Sequence, residues 1–308
     1  MRSQSAGPSA GSSPFLSPKT QGAVFALLAT AVWSANFVVS RGMADAVPPC
    51  TLAVGRWLTA FCAVLPFSLP ALKREWPHFL EHWKYYLAVS LIGTSFFNTV
   101  IYIGAHSVPA LNMSLIATSS PLFTIILARV LFGEAITRLR LAGIAIALAG
   151  ILLLMAKGDL ARLASLSFGT GDLLLLSAAM GFSVYTLLLR KRPAGSSQSA
   201  FFAVTFGAGL LPLLPLAFWE LGQAGPIHFT MSIAGTFLYM GLGASLFSFW
   251  CWTRAISAIG PAKAAVIYYS MPLFAGLQAV IFLGEPVRWF HLASSALILG
   301  GLFLATKE

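Results

Sequence analysis

Charged residues are scarce in this sequence. Lys, Arg, Asp and Glu make up only 9% of the 308 residues, and hydrophobic residues make up 58%, whereas roughly a quarter of a soluble domain is charged. A soluble fold of this length cannot hide so much apolar surface in one core. The composition therefore excludes an ordinary soluble protein and indicates that lipid is the solvent for much of the chain.

Acidic residues are few, and their positions are informative. All nine Asp and Glu residues lie in predicted connections or near the ends of apolar runs, so no carboxylate occupies a predicted mid-membrane position. A proton relay or a cation pump usually keeps a carboxylate there. Strongly proton-coupled drug antiport is therefore disfavoured, unless the span that contains Asp172 lies deeper than we place it.

Cysteine and histidine are also few, with three and five residues respectively. Cys50, Cys62 and Cys251 are scattered, with no Cys-x-x-Cys and no metal-ligand spacing. The dispersed histidines give no ligand cluster. Neither His-Glu-x-x-His nor Gly-x-Ser-x-Gly with acid and base partners is present. We therefore expect no disulfide framework, no metal, no cofactor and no enzyme active site.

The surplus of basic residues gives a net charge of +10. These residues fall mainly in short clusters between apolar runs, such as Lys73 with Arg74 and residues 190–192. No basic face is interleaved with stacking aromatics, as a nucleic-acid groove needs, so we expect no nucleic-acid partner. Basic clusters at the ends of apolar runs are instead what membrane topology requires.

Long apolar runs recur along the whole chain after residues 1–20, a Ser-, Pro- and Gly-rich stretch that we interpret as a flexible cytoplasmic tail. A helix needs about 20 residues to cross roughly 30 Å of hydrocarbon. The predicted spans are 22–40, 50–70, 85–104, 109–132, 139–156, 171–189, 198–219, 232–253, 262–283 and 289–306. We therefore predict an all-α integral membrane protein of ten transmembrane helices, with the lipid bilayer as its surroundings.

The distribution of Lys and Arg predicts the orientation. With the N-terminus inside, the cytoplasmic segments hold twelve of these residues and the external segments hold four. Cytoplasmic loops carry the excess of basic residues in membrane proteins, so both termini are predicted to be cytoplasmic. Arg56, Arg129 and Lys263 lie inside spans and are not counted. We expect Arg56 and Arg129 to snorkel to opposite membrane faces.

The chain contains an internal repeat. Residues 119–134, SSPLFTIILARVLFGE, and residues 270–285, SMPLFAGLQAVIFLGE, are identical at seven of sixteen positions. The offset is half the chain, which indicates two five-helix repeats at residues 21–157 and 168–306. Since five spans leave a chain on the opposite side of the membrane, the second repeat must enter upside down. Inverted repeats of this kind are characteristic of many secondary transporters.

Three motifs accompany the repeats. Pro-Leu-Phe occurs in the fourth and ninth spans, Gly-Glu ends both of them, and Trp33 with Ser34 lies in the first span. Over roughly residues 20–306 the chain resembles the EamA-type branch of the drug/metabolite transporter superfamily. The resemblance implies efflux of amino acids or other small metabolites across a bacterial inner membrane, from a central cavity lined by both repeats.

Pro121 and Pro272 fall near the middle of spans four and nine, at corresponding places in the two repeats. Each proline lacks an N–H and clashes with the carbonyl four residues back. A kink or a short unwound stretch would leave backbone acceptors free at membrane depth, which is tolerable beside a cavity. We interpret both prolines as gating positions, and a packing kink is the alternative.

Neutral polar side chains and aromatic rings within the spans are the candidates for binding a solute. Asn36 and Asn98 are costly to bury unpaired, and a buried Tyr or Trp must also find hydrogen-bond partners. Lys263, at the start of span nine, could meet a substrate carboxylate, and snorkelling is the alternative. The predicted substrate-binding residues are Trp33, Asn36, Thr94, Asn98, Tyr102, Thr118, Tyr185, Tyr239, Trp250, Lys263, Tyr268 and Tyr269.

Small residues spaced four apart are common where membrane helices pack closely. Gly143 with Ala147 in span five, and Ala296 with Gly300 in span ten, have this spacing. We therefore expect both pairs to lie in helix contacts.

These features predict a secondary transporter that exports small metabolites, in the first place amino acids, by alternating access around a central cavity. A cation or drug exporter of the same fold is the alternative within transport, disfavoured by the missing deep carboxylate. A carrier of phosphorylated metabolites would need several cavity-facing Lys or Arg, and a membrane-embedded enzyme would need convergent catalytic groups. The sequence leaves the exact solute, the coupling ion, the direction of flux and the oligomeric state open.

Overall fold

The computed structural model describes residues 17–133, 135–159, 169–225, 227–259, 264 and 267–306. Across these ranges, helices are the only regular secondary structure. Within the described ranges, eight helices are long and apolar enough to cross a membrane, and two further apolar helices are shorter. In chain order we name them α1 (Pro18–Gly42), α2 (Pro49–Glu81), α3 (Trp83–Gly104), α4 (Ala110–Phe132), α5 (Arg138–Met155), α6 (Thr170–Arg190), α7 (Gln198–Ala224), α8 (Met231–Ile259), α9 (Met271–Leu283) and α10 (Trp289–Thr306).

Three helices run well beyond the predicted spans, and α8 ends at Ile259, six residues after its predicted end. α2 has 33 residues and continues through Pro66, Pro70 and Pro77, although the predicted span ends at residue 70. α7 has 27 residues and ends at Ala224, five residues after the predicted end of its span. The hydrophobic pattern shows only which residues are apolar enough to lie in lipid. The helical backbone hydrogen bonds continue past the end of that apolar segment. Each proline removes one such bond without ending the helix.

Helix α4 is broken in its middle. Its two parts, Ala110–Ala117 and Ser120–Phe132, are separated by Thr118 and Ser119. Pro121 lies in the first turn of the second part, where the missing N–H costs no helical hydrogen bond. The break therefore precedes the proline, which begins a helix instead of bending one. Before α9 the pattern recurs, because residues 269–270 form a turn and Pro272 lies in the first turn of the helix.

Serine hydroxyls bind the two breaks to other helices. Ser183 in α6 donates through Oγ to the carbonyl of Ser120, at 2.6 Å. Ser34 in α1 donates in the same way to the carbonyl of Met271, at 3.1 Å. In both cases the serine and the carbonyl lie in opposite halves of the chain, so each break is held by a helix from the other half.

Helices α3 and α8 each contain a π-helical stretch, at Leu91–Phe96 and Tyr239–Phe247. Short π-helical stretches inside α-helices are frequent at functional sites, because the wider turn changes the direction of the side chains that follow. The side chains of Asn98 and Ser245 each donate to the carbonyl five residues before them, at 3.4 and 3.0 Å. Neither stretch was predicted from the sequence.

Helices α5 and α10 pack with their backbones in contact. A Cβ atom added at Gly143 would lie 2.4 Å from the backbone nitrogen of Ala305, and one added at Gly301 would lie 2.5 Å from that of Ala147. The expected role of Gly143 with Ala147 is therefore confirmed. The expectation for the other pair is wrong, since Ala296 and Gly300 are exposed and the contact is made one position further on.

Glutamates cap helices at both ends of the antiparallel pair α2 and α7. We call the side at which α1 begins the N-terminal side and the opposite side the distal side. On the N-terminal side, Glu75 of α2 accepts a hydrogen bond from the backbone N–H of Ser197, at 2.8 Å. On the distal side, Glu220 of α7 accepts from the N–H groups of Cys50 and Thr51, both at 3.0 Å. Each helix thus supplies the carboxylate that satisfies the free N–H groups at the start of the other.

A third glutamate connects the ends of α9 and α4 on the distal side. Glu285 accepts from the N–H of Ala110 at 3.0 Å and lies 3.5 Å from the N–H nitrogen of Leu111. Glu134, its counterpart in the internal repeat, lies outside the described residues. Glu285 therefore ties the end of α9 to the start of the broken helix.

Candidate functional site

A narrow cavity of about 70 Å³ lies between helices from both halves of the chain. Its walls come from α1, α2 and α3 in the first half and from α6, α7, α8 and the start of α9 in the second. Most of the wall is aromatic, with rings from Phe97, Phe182, Phe202, Phe206 and Phe249 among others. The cavity has room for several water molecules, so a larger solute requires the helices to move apart.

Half of the predicted substrate-binding residues line this cavity. Trp33 and Tyr268 are two of them, and they pack against each other with their ring centres 6.0 Å apart. The indole N–H of Trp33 also donates a hydrogen bond to the carbonyl of Ala244, at 2.9 Å. Neutral hydrogen-bonding groups and rings therefore share the same wall. The predicted residues in the lining are Trp33, Asn36, Thr94, Asn98, Tyr185 and Tyr268.

Five other predicted residues lie away from the lining. Tyr102 is buried behind the cavity, where its hydroxyl meets Arg56 at 3.0 Å. The hydroxyl of Thr118 is used at the break in α4, where it donates to the carbonyl of Leu115 at 2.8 Å. Tyr239 donates to the carbonyl of Val32, and Tyr269 is buried.

Trp250 faces outward, with 48% of its surface exposed. Its ring packs against Phe25 and lies under the guanidinium of Arg254, whose Cζ is 5.4 Å from the ring centre. The spacing of aromatics along α8 did not tell the inner face from the outer one. Lys263 lies outside the described residues.

Arg56 is the main residue that the sequence reasoning misplaced. It was expected to snorkel to a membrane face, but it is 4% exposed and lines the cavity. Nε donates to Ser245 Oγ at 2.9 Å. Nη1 lies within hydrogen-bond distance of three oxygens, Asn36 Oδ1 (3.1 Å), Asn98 Oδ1 (2.9 Å) and Tyr102 Oη (3.0 Å).

The local sequence does carry a signal for the burial of Arg56. Ala53 and Ala60 lie three and four residues away on either side and are fully buried, so they share a face of α2 with Arg56. Small residues on such a face let neighbouring helices come close. The π-helical stretches of α3 and α8 complete the site, because Asn98 lies two residues after the end of one and Ser245 lies in the other.

Carboxylates are absent from the described lining of the cavity. Asp172, the acidic residue whose depth bears on proton coupling, is buried in the first turn of α6 and is not part of the described lining. The wall therefore combines one positive charge with neutral groups and rings. Such a wall can attract an anionic group and cover an apolar one.

Two wider pockets, of about 520 and 790 Å³, lie at helix ends on the distal side. The first is lined by charges of both signs, including Lys157, Asp159 and Glu285. Neither pocket has a predicted substrate-binding residue in its described lining.

The expectation that the histidines give no ligand cluster is wrong at one place. At the end of α2, one ligand atom each from His78, Glu81 and His82 lie within 4.8 Å of one another. Both imidazoles already have contacts here. His78 Nε2 is 3.1 Å from the hydroxyl of Tyr86, and His82 Nδ1 is 3.1 Å from the carbonyl of His78.

Comparison with known proteins adds the family. The sequence profile of the EamA-like transporter family matches the chain twice, at residues 20–156 and 169–307. A relative from Salmonella typhimurium, named "Probable amino-acid metabolite efflux pump", is 28% identical over 287 residues, which cover 91% of this chain and 92% of that protein. One from Streptantibioticus cattleyicolor, named "Probable terminal-alkyne amino-acid exporter", is 28% identical over 294 residues, with coverages of 94% and 95%.

A solved crystal structure has the same fold. It matches with a TM-score of 0.61 at 19% identity and covers 93% of this chain and 96% of its own. The two profile matches take in nearly all of the sequence, and the described helices are those of a multi-pass membrane protein. The chain therefore belongs to the EamA-like transporter family.

Proposed function

We propose that the protein is a secondary transporter that exports small metabolites, in the first place amino acids. The observation that carries the proposal is the central cavity, which takes its wall from both halves of the chain and lines it with rings, neutral hydrogen-bonding groups and one buried cation. An amino acid with an apolar side chain matches such a wall. The printed names of two relatives, a metabolite efflux pump and an amino-acid exporter, support this assignment.

The proposed architecture is two inverted five-helix repeats, residues 21–157 and 168–306, with both termini in the cytoplasm of a bacterial cell and the helices in its inner membrane. Three pairs of features recur at corresponding places in the two halves: the breaks before Pro121 and Pro272, the π-helical stretches of α3 and α8, and the glutamate caps of α2 and α7. Two similar halves of opposite orientation can open one site to either side in turn.

In the proposed mechanism, the two halves rock around the central cavity and the broken helices act as gates. The break in α4 and the turn before α9 are points where the backbone can bend without losing regular helical bonds. The hydrogen bonds from Ser183 to the Ser120 carbonyl and from Ser34 to the Met271 carbonyl are the contacts that would change as a gate moves. A cross-link that fixes either gate should therefore stop transport.

The charge of the cavity weighs against the alternatives. A cation or drug exporter would be helped by a carboxylate in the wall, and the described lining has Arg56 instead. A carrier of phosphorylated metabolites would use several cations, and the described lining supplies one.

Uptake into proteoliposomes tests the proposal. The purified protein is reconstituted and offered aromatic, aliphatic and hydroxylated amino acids, one quaternary ammonium ion and one sugar phosphate, with and without a pH gradient. Saturable uptake of amino acids alone supports the assignment, and its response to the gradient tells whether protons are coupled. Uptake of the ammonium ion or the sugar phosphate alone would overturn it.

A further inference from the structure

The guanidinium of Arg56 is a buried positive charge whose described partners are all neutral. Its contacts are two amide oxygens, a phenol and a serine hydroxyl. No carboxylate among the described residues lies within 4.0 Å of it. A buried charge without a counter-charge is strongly unfavourable in a protein interior. The site is thus arranged around a charge that a ligand can neutralise.

Two donors at this place lack an acceptor among the described residues. None of the described residues accepts a hydrogen bond from Nη2 of Arg56. The indole N–H of Trp57, a side chain only 3% exposed, is also buried without a partner in the described part of the chain. Both residues line the central cavity. Since buried polar groups are nearly always hydrogen-bonded, the buried indole N–H, next to a guanidinium edge with no described acceptor, indicates a ligand that brings acceptor atoms.

The surroundings hold the guanidinium in place. Its Cζ lies 4.8 Å from the centre of the Trp57 ring, and the contacts of Nη1 to Asn36 and Asn98 fix one edge of the fork. Asn36 belongs to α1 and Asn98 to α3, so the arginine is held from two sides. A guanidinium fixed in this way presents its remaining N–H groups without further loss of side-chain freedom.

We propose that Arg56, together with the indole N–H of Trp57, binds the carboxylate of the transported solute, while the phenylalanine rings of the cavity cover its apolar part. This inference rests on the proposed function and narrows it to a class of substrate. A carboxylate supplies a negative charge and two acceptor oxygens, which is the geometry that a guanidinium fork prefers.

The same wall makes little provision for an ammonium group. The described lining contains no carboxylate, and the amide oxygens of Asn36 and Asn98 already face Arg56. The aromatic ring faces remain as the available partners for a cation. The substrate class is therefore apolar monocarboxylates, whether or not they carry an α-ammonium group.

Ligand-dependent melting of the purified full-length protein in detergent tests this class directly. The probes share one ring and differ at one end: L-phenylalanine, 3-phenylpropanoate and the neutral 3-phenylpropanamide. We expect the two acids to raise the melting temperature with similar midpoints, and the amide to bind at least about tenfold more weakly, since a hydrogen bond to a charged group is lost. Equal midpoints for acid and amide, or no shift with either acid at millimolar concentration, would overturn the inference.

Variants identify the residues. Arg56→Gln should abolish the preference for acid over amide, and Trp57→Phe should reduce it. Arg254→Gln is the matched control, because Arg254 also lies over a tryptophan ring but is exposed, and it should keep the preference. If Arg56→Gln is not recovered as folded protein, Arg56→Lys keeps the charge but loses the fork and should show a smaller preference. A preference that survives either change at position 56 unaltered contradicts the proposal.

Two further measurements separate this inference from the proposed function and from simpler anions. Uptake of both acids and the amide at equal rates would support the proposed transport function and refute the carboxylate-binding site. Selective binding of the acids without uptake would support the carboxylate-binding site and refute the proposed transport function. A shift of the same size produced by potassium chloride alone would assign Arg56 to an inorganic anion and overturn the substrate class.

Discussion

Replacing Gly301 by alanine should destabilise the protein, whereas the same replacement at the neighbouring Gly300 should stabilise it. A Cβ at Gly301 would lie 2.5 Å from the backbone nitrogen of Ala147 and 2.6 Å from the carbonyl oxygen of Gly143. A Cβ at Gly300 would meet nothing within 4 Å. The two positions therefore differ in packing while they share the same helix.

The size of the effect follows from these distances. Because the atoms that the new methyl group meets are backbone, α5 and α10 must move apart by about 0.9 Å to restore an ordinary contact of 3.4 Å. Overpacking of this kind costs about 1–3 kcal/mol. Alanine also gains about 0.5–1 kcal/mol over glycine inside a helix. That gain is common to both variants, so the difference between them isolates the packing cost of about 1–3 kcal/mol.

Unfolding in mixed micelles with increasing SDS measures this difference. The unfolding transition is followed by tryptophan fluorescence for the wild type, Gly300→Ala and Gly301→Ala under identical conditions. We expect Gly300→Ala to unfold at higher SDS than the wild type and Gly301→Ala at lower SDS. If the two variants shift in the same direction by the same amount, α5 and α10 do not pack backbone to backbone as described.

Three further predictions concern the caps, the break and the orientation. Glu220→Gln should lower the free energy of unfolding by about 1–2 kcal/mol, because two N–H groups lose a charged acceptor. Glu81→Gln is the control, since this carboxylate is exposed, and it should change the free energy of unfolding little. Equal effects of the two substitutions would contradict the capping role. Pro121→Ala should slow uptake more than it reduces the folded yield, measured by uptake per folded molecule, and equal losses would indicate a purely structural proline. Cysteines at Ala194 and Gln223, both exposed, should differ in labelling by an impermeant maleimide added to whole cells, with Gln223→Cys alone labelled if both termini are cytoplasmic.

Much of the fold follows from hydrophobicity and from the internal repeat. Runs of about 20 apolar residues identify membrane helices because each backbone polar group in lipid must be bonded within the helix. The glycine and alanine spacing in span five likewise predicted a close helix contact, and the partner glycine in α10 was missed by one position. That error is physical: adjacent residues of a helix differ by about 100° in direction, and only the neighbouring helix determines which of them is covered.

The site was only partly predictable for the same reason. The sequence pattern does not distinguish three environments for a polar or aromatic residue inside a span. Such a residue can line a cavity, form a hydrogen bond with a backbone carbonyl as Tyr239 does, or face outward as Trp250 does. Arg56 was misplaced because its distance from the end of the span was read without regard to the face of α2 on which it lies. The π-helical stretches, close to Asn98 in α3 and around Ser245 in α8, cannot be recognised from the pattern of hydrophobic residues.

The paired caps of α2 and α7 have the form of a two-fold dimer interface within a single chain. In such an interface, a group on one copy meets a second group on the other, and the reverse contact is made at the same time. Glu75 with Ser197 and Glu220 with Cys50 stand in this relation. If the two halves are expressed as separate polypeptides, each would carry a helix start that lacks its acceptor and a carboxylate that lacks its donors. The halves should therefore recognise each other when they are produced together, and neither should be stable when produced alone.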